Sequence, residues 1–146
     1  MRVLIIDDDA ELLLSCGVSL AHDGHQPTGA MDAGLALATA TKEPVDVILL
    51  NTKLGGAAPA WLLSALRRDG VTPSVPLVVY SADPSTGEEL LARQLGADAY
   101  LGTPREEATL SSAIEFVASF GPSERAQRRT AAITRLASAQ RHPSRN

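Results

Sequence analysis

Two apolar runs in this chain end in side chains that could do chemistry together. Val3-Leu4-Ile5-Ile6 ends in Asp7-Asp8-Asp9, and Val45-Asp46-Val47-Ile48-Leu49-Leu50 ends in Asn51. Carboxylates at two strand ends can hold a divalent cation and accept a phosphoryl group, whereas an amide is neutral and a very poor nucleophile. Asn51 therefore stands where that chemistry calls for a carboxylate. Ser81, closing the run Leu77 to Tyr80, and Thr103, just beyond Ala99 to Leu101, bring two hydroxyls to further strand ends.

The elements that must position these groups are legible from periodicity. Arg2 to Ile6, Val45 to Leu50, Leu77 to Tyr80 and Ala99 to Leu101 are short, apolar and bounded by turn residues, as buried strands are. Apolar residues at three- and four-residue spacings predict helices over Glu11 to Ala21, Ala33 to Ala40, Ala60 to Arg68, Gly87 to Leu95 and Arg105 to Phe120. This alternation predicts an α/β fold with a parallel sheet covered by helices on both faces. Gln26 to Thr28 would be a fifth strand, and Pro27 confines it to a sheet edge. An edge strand there matches a doubly wound, flavodoxin-like sheet in the order 2-1-3-4-5, whose crevice lies beyond the carboxyl ends of the first and third strands. Asp7, Asp8 and Asn51 fall at that crevice by register.

Composition narrows the class. The 146 residues are 45% hydrophobic but only 3% aromatic, which suits one domain with an aliphatic core. No apolar segment approaches the roughly 20 residues needed to span a bilayer, and Met1-Arg2 runs straight into a strand pattern, so the expected location is cytoplasmic. Cys16, the one cysteine, excludes an internal disulfide and is expected to be a buried, inert thiol. Charge divides the chain in two. Residues 1–120 carry seven Lys/Arg against sixteen Asp/Glu, a balance of −9, and residues 121–146 carry six Arg against Glu124, a balance of +5. The break falls at Gly121-Pro122-Ser123, and beyond it a further helix with Ala126, Thr130, Ile133 and Leu136 or Ala137 as a thin apolar stripe is expected.

The motifs IIDDD at 5–9, DVILLN at 46–51, PLVVYSA at 76–82 and GADAYLGTP at 96–104, in this order and at these intervals, make residues 1–120 resemble a response-regulator receiver domain. The resemblance implies that Asp7 and Asp8 match a Mg²⁺-binding acidic pair, Ser81 a phosphoryl-contacting hydroxyl and Tyr100 an aromatic that reports the state. It also implies two losses: Asn51 replaces the phosphoacceptor Asp, and Thr103 replaces a Lys. The first removes the nucleophile and a negative charge from the metal site; the second removes the cation that would stabilise phosphoryl oxygens. Residual Mg²⁺ binding by Asp7 and Asp8 stays open, beside a plainer reading of the acidic run as a helix cap. Lys53 is a second candidate to neutralise that pair. Gly55-Gly56 sits where the family's usual turn would be, and a plain turn is the simpler reading.

A receiver unable to take phosphate can still work through its surface. Leu12, Leu13, Cys16 and Leu20 form the inward stripe of the first helix, so Leu14 and Val18 point outward as an i,i+4 pair. Trp61 is expected on the flank of its helix, ahead of inward Leu62, Leu63 and Leu66. In the last family helix Leu110, Ala113, Ile114 and Val117 face inward, leaving Phe116 and Phe120 beside the basic tail. The resemblance implies a partner or dimer face around Leu90, Leu91, Arg93, Tyr100 and Leu101. The expectation is a stand-alone pseudo-receiver in bacterial two-component signalling, without enzymatic activity, that binds a protein partner independently of phosphorylation. A homodimer is possible, and sequence-specific nucleic-acid binding is not expected from six arginines without interleaved aromatics. The alternatives are a small-ligand sensor using the altered cleft and, behind it, a phosphorylated relay.

Overall fold

A computed structural model describes residues 1–52, 54, 59–68, 75–102 and 107–141. Five strands alternate with helices: β1 (Arg2–Ile6), α1 (Ala10–His22), β2 (Gln26–Ala30), α2 (Ala33–Lys42), β3 (Val47–Asn51), α3 (Pro59–Arg68), β4 (Leu77–Ser81), α4 (Thr86–Gln94), β5 (Ala99–Gly102), α5 (Glu107–Ala118) and α6 (Pro122–Arg141). All neighbouring strands pair in parallel, in the order β2-β1-β3-β4-β5. The doubly wound sheet expected from the sequence is the one formed.

Because side chains alternate across a strand, each apolar run feeds two cores at once. Leu4, Ile6, Ile48, Leu50, Leu77 and Val79 pack with Ala36, Leu62 and Leu66 on one face. Val3, Ile5, Val47, Leu49, Val78 and Tyr80 pack on the other with Cys16 and Leu20 of α1 and with Leu110, Ile114 and Val117 of α5. Continuous apolar strands follow from that double burial. β2 is the exception: it has one strand neighbour and keeps exposed residues, so Pro27 is tolerated there.

Helix starts are fixed by short polar side chains. Asp9 caps α1 by accepting from the Glu11 and Leu12 amides, Asp32 caps α2 through the Leu35 amide and Ser85 caps α4 through the Glu88 amide. The plain cap reading of the acidic run thus holds for Asp9. Gly24 (φ 89°) and Gly96 (φ 108°) turn the chain out of α1 and α4 into the next strands, a backbone region that disfavours side chains.

Strand ends differ from expectation by one or two residues. β3 begins at Val47 because Asp46 anchors the β1 entry instead: its amide donates to Arg2 O at 2.9 Å and its carboxylate accepts from Arg2 N at 2.8 Å. At the other end β2, β4 and β5 extend to Ala30, Ser81 and Gly102, where the parallel ladder still has partners.

The basic extension is helical and lies against α4. Its buried face keeps the second half of the expected stripe and departs from the first: Leu136 is buried and Ile133 half-buried, but Ala126 and Thr130 are exposed, and Arg125 and Ala132 are buried with Arg129 half-buried. The reason is electrostatic. Asp98, which precedes β5 and is 3% exposed, lies within ion-pair distance of both Arg125 and Arg129 and draws these guanidiniums inward. The two helices run antiparallel, since Gly87 at the start of α4 lies near Gln140 at the end of α6 while Arg93 to Gly96 meet Pro122 to Arg129.

Candidate functional site

Asp7, Asn51 and Tyr80 converge where β1, β3 and β4 end. Asn51 and Tyr80 are register partners across the β3–β4 ladder, and Asp7 follows the last paired residue of β1. Asp7 is fully buried, and both of its oxygens are taken. Oδ1 accepts from the Asp9 amide at 2.9 Å and from Asn51 Nδ2 at 3.1 Å; Oδ2 accepts from the Tyr80 hydroxyl. An ionised carboxylate offers only lone pairs, so the Asn51 amide must turn its N–H toward it. Burial of the Tyr80 phenol, reinforced by its bond to Asp7, pushes its pKa far above the usual tyrosine range. Cys16 lies on the same side of the sheet, and burial first, then the Asp7 charge, push its thiol up to about 11. The inert-thiol expectation agrees with that environment.

The rest of the expected constellation separates into distinct roles. Asp8 is exposed, unlike its buried neighbour Asp7. Ser81 is buried, and its Oγ accepts from the Asp83 amide at 3.2 Å. Tyr100 is half-buried: its hydroxyl donates to Glu88 Oε1 at 2.5 Å and accepts from the Ser85 amide at 3.2 Å. Burial, helped by the Glu88 carboxylate, raises the Tyr100 pKa against a smaller opposing pull from Ser85 and Ser81. Tyr100 is thereby tied to the first turn of α4. Thr103, Lys53, Gly55 and Gly56 lie outside the described residues.

A Mg²⁺ ion of the kind the family resemblance implies does not fit these residues. Mg²⁺ demands oxygen lone pairs in near-octahedral array, yet at Asp7 the lone pairs face an amide N–H, a peptide N–H and a phenol O–H. Those donors already do for the buried charge what a cation would do. Asp8, the other half of the expected acidic pair, is exposed where Asp7 is buried.

Tyr80 was not among the residues singled out from the sequence, although a signal existed. It is the one hydroxyl in an otherwise aliphatic run, on the same sheet face as Val78, and a buried phenol needs a partner. Asp98 carried a similar signal as an acid entering a buried strand.

The surface residues singled out from the sequence are exposed: Leu14 (70%), Val18 (62%), Trp61 (53%), Leu91 (54%) and Phe116 (54%), joined by Met31 and Leu35. Phe116 meets Phe120 edge to face at 5.0 Å, and the Arg128 guanidinium lies 4.3 Å from the Phe120 centroid and 5.2 Å from that of Phe116. Among the described residues no helix is long and apolar enough to cross a membrane.

A parallel 2-1-3-4-5 sheet with acidic, amide and hydroxyl groups at its carboxyl edge defines a receiver-type α/β domain. Residues 3–115 match the response regulator receiver domain, and the chain belongs to that family. It is 28% identical to protein PilH of Pseudomonas aeruginosa over 116 residues, covering 80% of this chain and 96% of PilH. It is 33% identical to the transcriptional regulatory protein PrrA of Mycobacterium tuberculosis over 103 residues, 70% of this chain but only 43% of PrrA. Among solved structures, a CheY-like receiver domain from Methanospirillum hungatei superposes with a TM-score of 0.74 at 26% identity, over 81% of this chain and 93% of that one. Vibrio cholerae CheY4 shares the fold, with a TM-score of 0.75 over 80% of this chain and 97% of its own. The chain is thus a response regulator receiver domain of two-component signalling.

Proposed function

We propose that this receiver domain is a pseudo-receiver of a bacterial signalling system, and that it acts by protein–protein interaction without being phosphorylated. The observation that carries the reading is the side chain of Asn51. It stands at the strand end where the family places its phosphoacceptor, and it spends its amide N–H on the buried Asp7 carboxylate. An amide has no anionic oxygen to attack a phosphoryl donor. Tyr80 makes the substitution self-consistent, because its hydroxyl joins the Asn51 amide in stabilising a charge that would otherwise need a cation. Thr103 in place of a Lys, read from the sequence, removes the second requirement.

With chemistry gone from the cleft, function rests on the surface. The exposed Trp61, Leu14, Val18, Leu91 and Phe116 are the residues offered to a protein partner, and the domain is not an enzyme. A second copy of the chain is one such partner.

The experiment is intact-mass spectrometry after incubation with acetyl phosphate and Mg²⁺, on the wild type, Asn51→Asp and the double variant Asn51→Asp/Tyr80→Phe. The wild type should stay unmodified. Asn51→Asp should gain little, because its new carboxylate faces Asp7, and the double variant should gain most. A phosphoryl group on any residue of the wild type would overturn the proposal and restore the relay reading.

A further inference from the structure

We propose that the cleft between α4 and α6 is a binding site for a small organic phosphate. The cavity encloses about 370 Å³ and lies away from the Asp7–Asn51 edge, between the end of α4 and the start of α6. That volume falls within the range of small-molecule sites, about 300 to 1,000 Å³. It is lined by Arg93, Arg125 and Arg129 and by the apolar side chains of Val75, Leu95 and Ile133.

The charge balance there is unlike that of the rest of the receiver. Asp98 is 3% exposed and turned inward: its Oδ2 accepts from the Leu77 amide at 2.9 Å, and Arg125 and Arg129 flank it. Glu89 pairs with Arg93 at 3.2 Å. Among the described residues three guanidiniums meet these two carboxylates, an excess of one positive charge where residues 1–120, with a balance of −9, meet the basic extension. The Leu91, Ala92 and Arg93 carbonyls near the end of α4 accept from the Leu95, Gly96 and Ala97 amides, which weakens their opposition to an anion. The start of the 20-residue α6, at Pro122, lines the same cleft and adds its positive dipole end.

Ligand class follows from the shape of the donors. A guanidinium carries five N–H groups in a planar fork that matches phosphate or carboxylate oxygens two at a time. Arg129 gives Asp98 one of these and keeps 26% of its side chain exposed. Guanidiniums converging from two helices suit a group with three terminal oxygens better than a single carboxylate. The apolar lining residues and the volume call for a carbon body as well, which inorganic phosphate lacks. A ligand bridging Arg93 and Arg129 would also clamp α6 to α4, so that binding would stabilise the extension.

The test is isothermal titration of the full chain with AMP, pyrophosphate, inorganic phosphate and adenosine, on the wild type, Arg129→Gln, Arg93→Gln and Arg135→Gln. Arg135 is exposed on the same helix, so its variant removes an equal charge from outside the cleft. AMP should saturate a single site, pyrophosphate and inorganic phosphate should bind more weakly, and adenosine should not bind. Arg129→Gln and Arg93→Gln should each weaken binding at least about tenfold, with Arg135→Gln close to wild type and circular dichroism confirming that all variants are folded. No saturation by AMP, binding of AMP no tighter than that of inorganic phosphate, or equal losses in Arg129→Gln and Arg135→Gln, would overturn the proposal.

Discussion

The Tyr80 hydroxyl donates to the carboxylate of Asp7, joining the ends of two strands that are separated in the sheet by β3. Asn51, on the intervening strand, donates to the other oxygen of the same carboxylate. The buried carboxylate thus takes neutral donors from β3 and β4, which occupy both of its oxygens without a metal. Tyr80→Phe removes one donor and keeps the ring in the core. Hydrogen bonds to charged groups contribute about 1.5–3 kcal/mol, so stability should fall by that amount. Urea denaturation should show a lower midpoint with an unchanged slope. A midpoint equal to wild type would mean that Asp7 draws nothing from Tyr80.

The two tyrosines, Tyr80 and Tyr100, both have pKa values raised by burial and by a neighbouring carboxylate. Unfolded tyrosines ionise near pH ~10. A raised folded value means that the native state holds its proton after the unfolded chain has lost it. The resulting stability is fully present below pH ~10 and is lost progressively as pH climbs toward the folded value. Tyrosinate absorbance should therefore appear together with loss of native circular dichroism. Tyrosinate forming in a still folded chain near pH ~10 would contradict the buried, carboxylate-bonded environment.

Sheet order and core were open to sequence reading because hydrophobic alternation reports burial directly. Val3 to Ile6 and Val47 to Leu50 have nowhere to go but between two layers of helix. The outward pair Leu14 and Val18 followed from the inward stripe by the same geometry. Side-chain partnerships were harder to read. Asp7 and Asp8 look equivalent in sequence, yet the pleat buries one and exposes the other. Tyr80 reads as one more apolar strand residue until the register sets it beside Asn51. For α6, hydrophobic spacing alone favours Ala126 and Thr130 as inward positions. The buried face is instead set by Asp98, which lies 27 and 31 residues before its two arginines and leaves no local trace in the helix pattern.

Asp98 holds the extension in place, so Asp98→Asn should loosen it. The carboxylate is 3% exposed and shared by Arg125 and Arg129, and its loss removes the Asp98 charge from beside the buried Arg125 guanidinium. Removing one partner of a buried ion pair costs about 3–5 kcal/mol. Because the amide still reaches the Leu77 N–H, the damage should concentrate in α6. Limited trypsin digestion should cut at Arg128, Arg129 and Arg135 faster in Asp98→Asn than in wild type, before the receiver core is lost. Equal cleavage rates would show that the apolar contacts of Ala132 and Leu136 hold the helix unaided.

Trp61 and Leu62 are adjacent on α3 yet should respond in opposite ways. Leu62 is fully buried in the face shared with Leu4 and Leu50, and Leu62→Ala should cost about 2–5 kcal/mol of stability. Trp61 is 53% exposed, so Trp61→Ala should leave the urea midpoint within about 0.5 kcal/mol of wild type. If this face meets the partner, the same substitution should weaken partner binding by about 2 kcal/mol or more, a typical value for an aromatic anchor at an interface. As the only tryptophan, Trp61 also serves as the reporter. Its emission should shift to the blue when partner is added to wild type, and should stay unchanged if the partner binds at Leu14 and Val18 instead. A Trp61→Ala variant that binds as tightly as wild type would move the interface to α1.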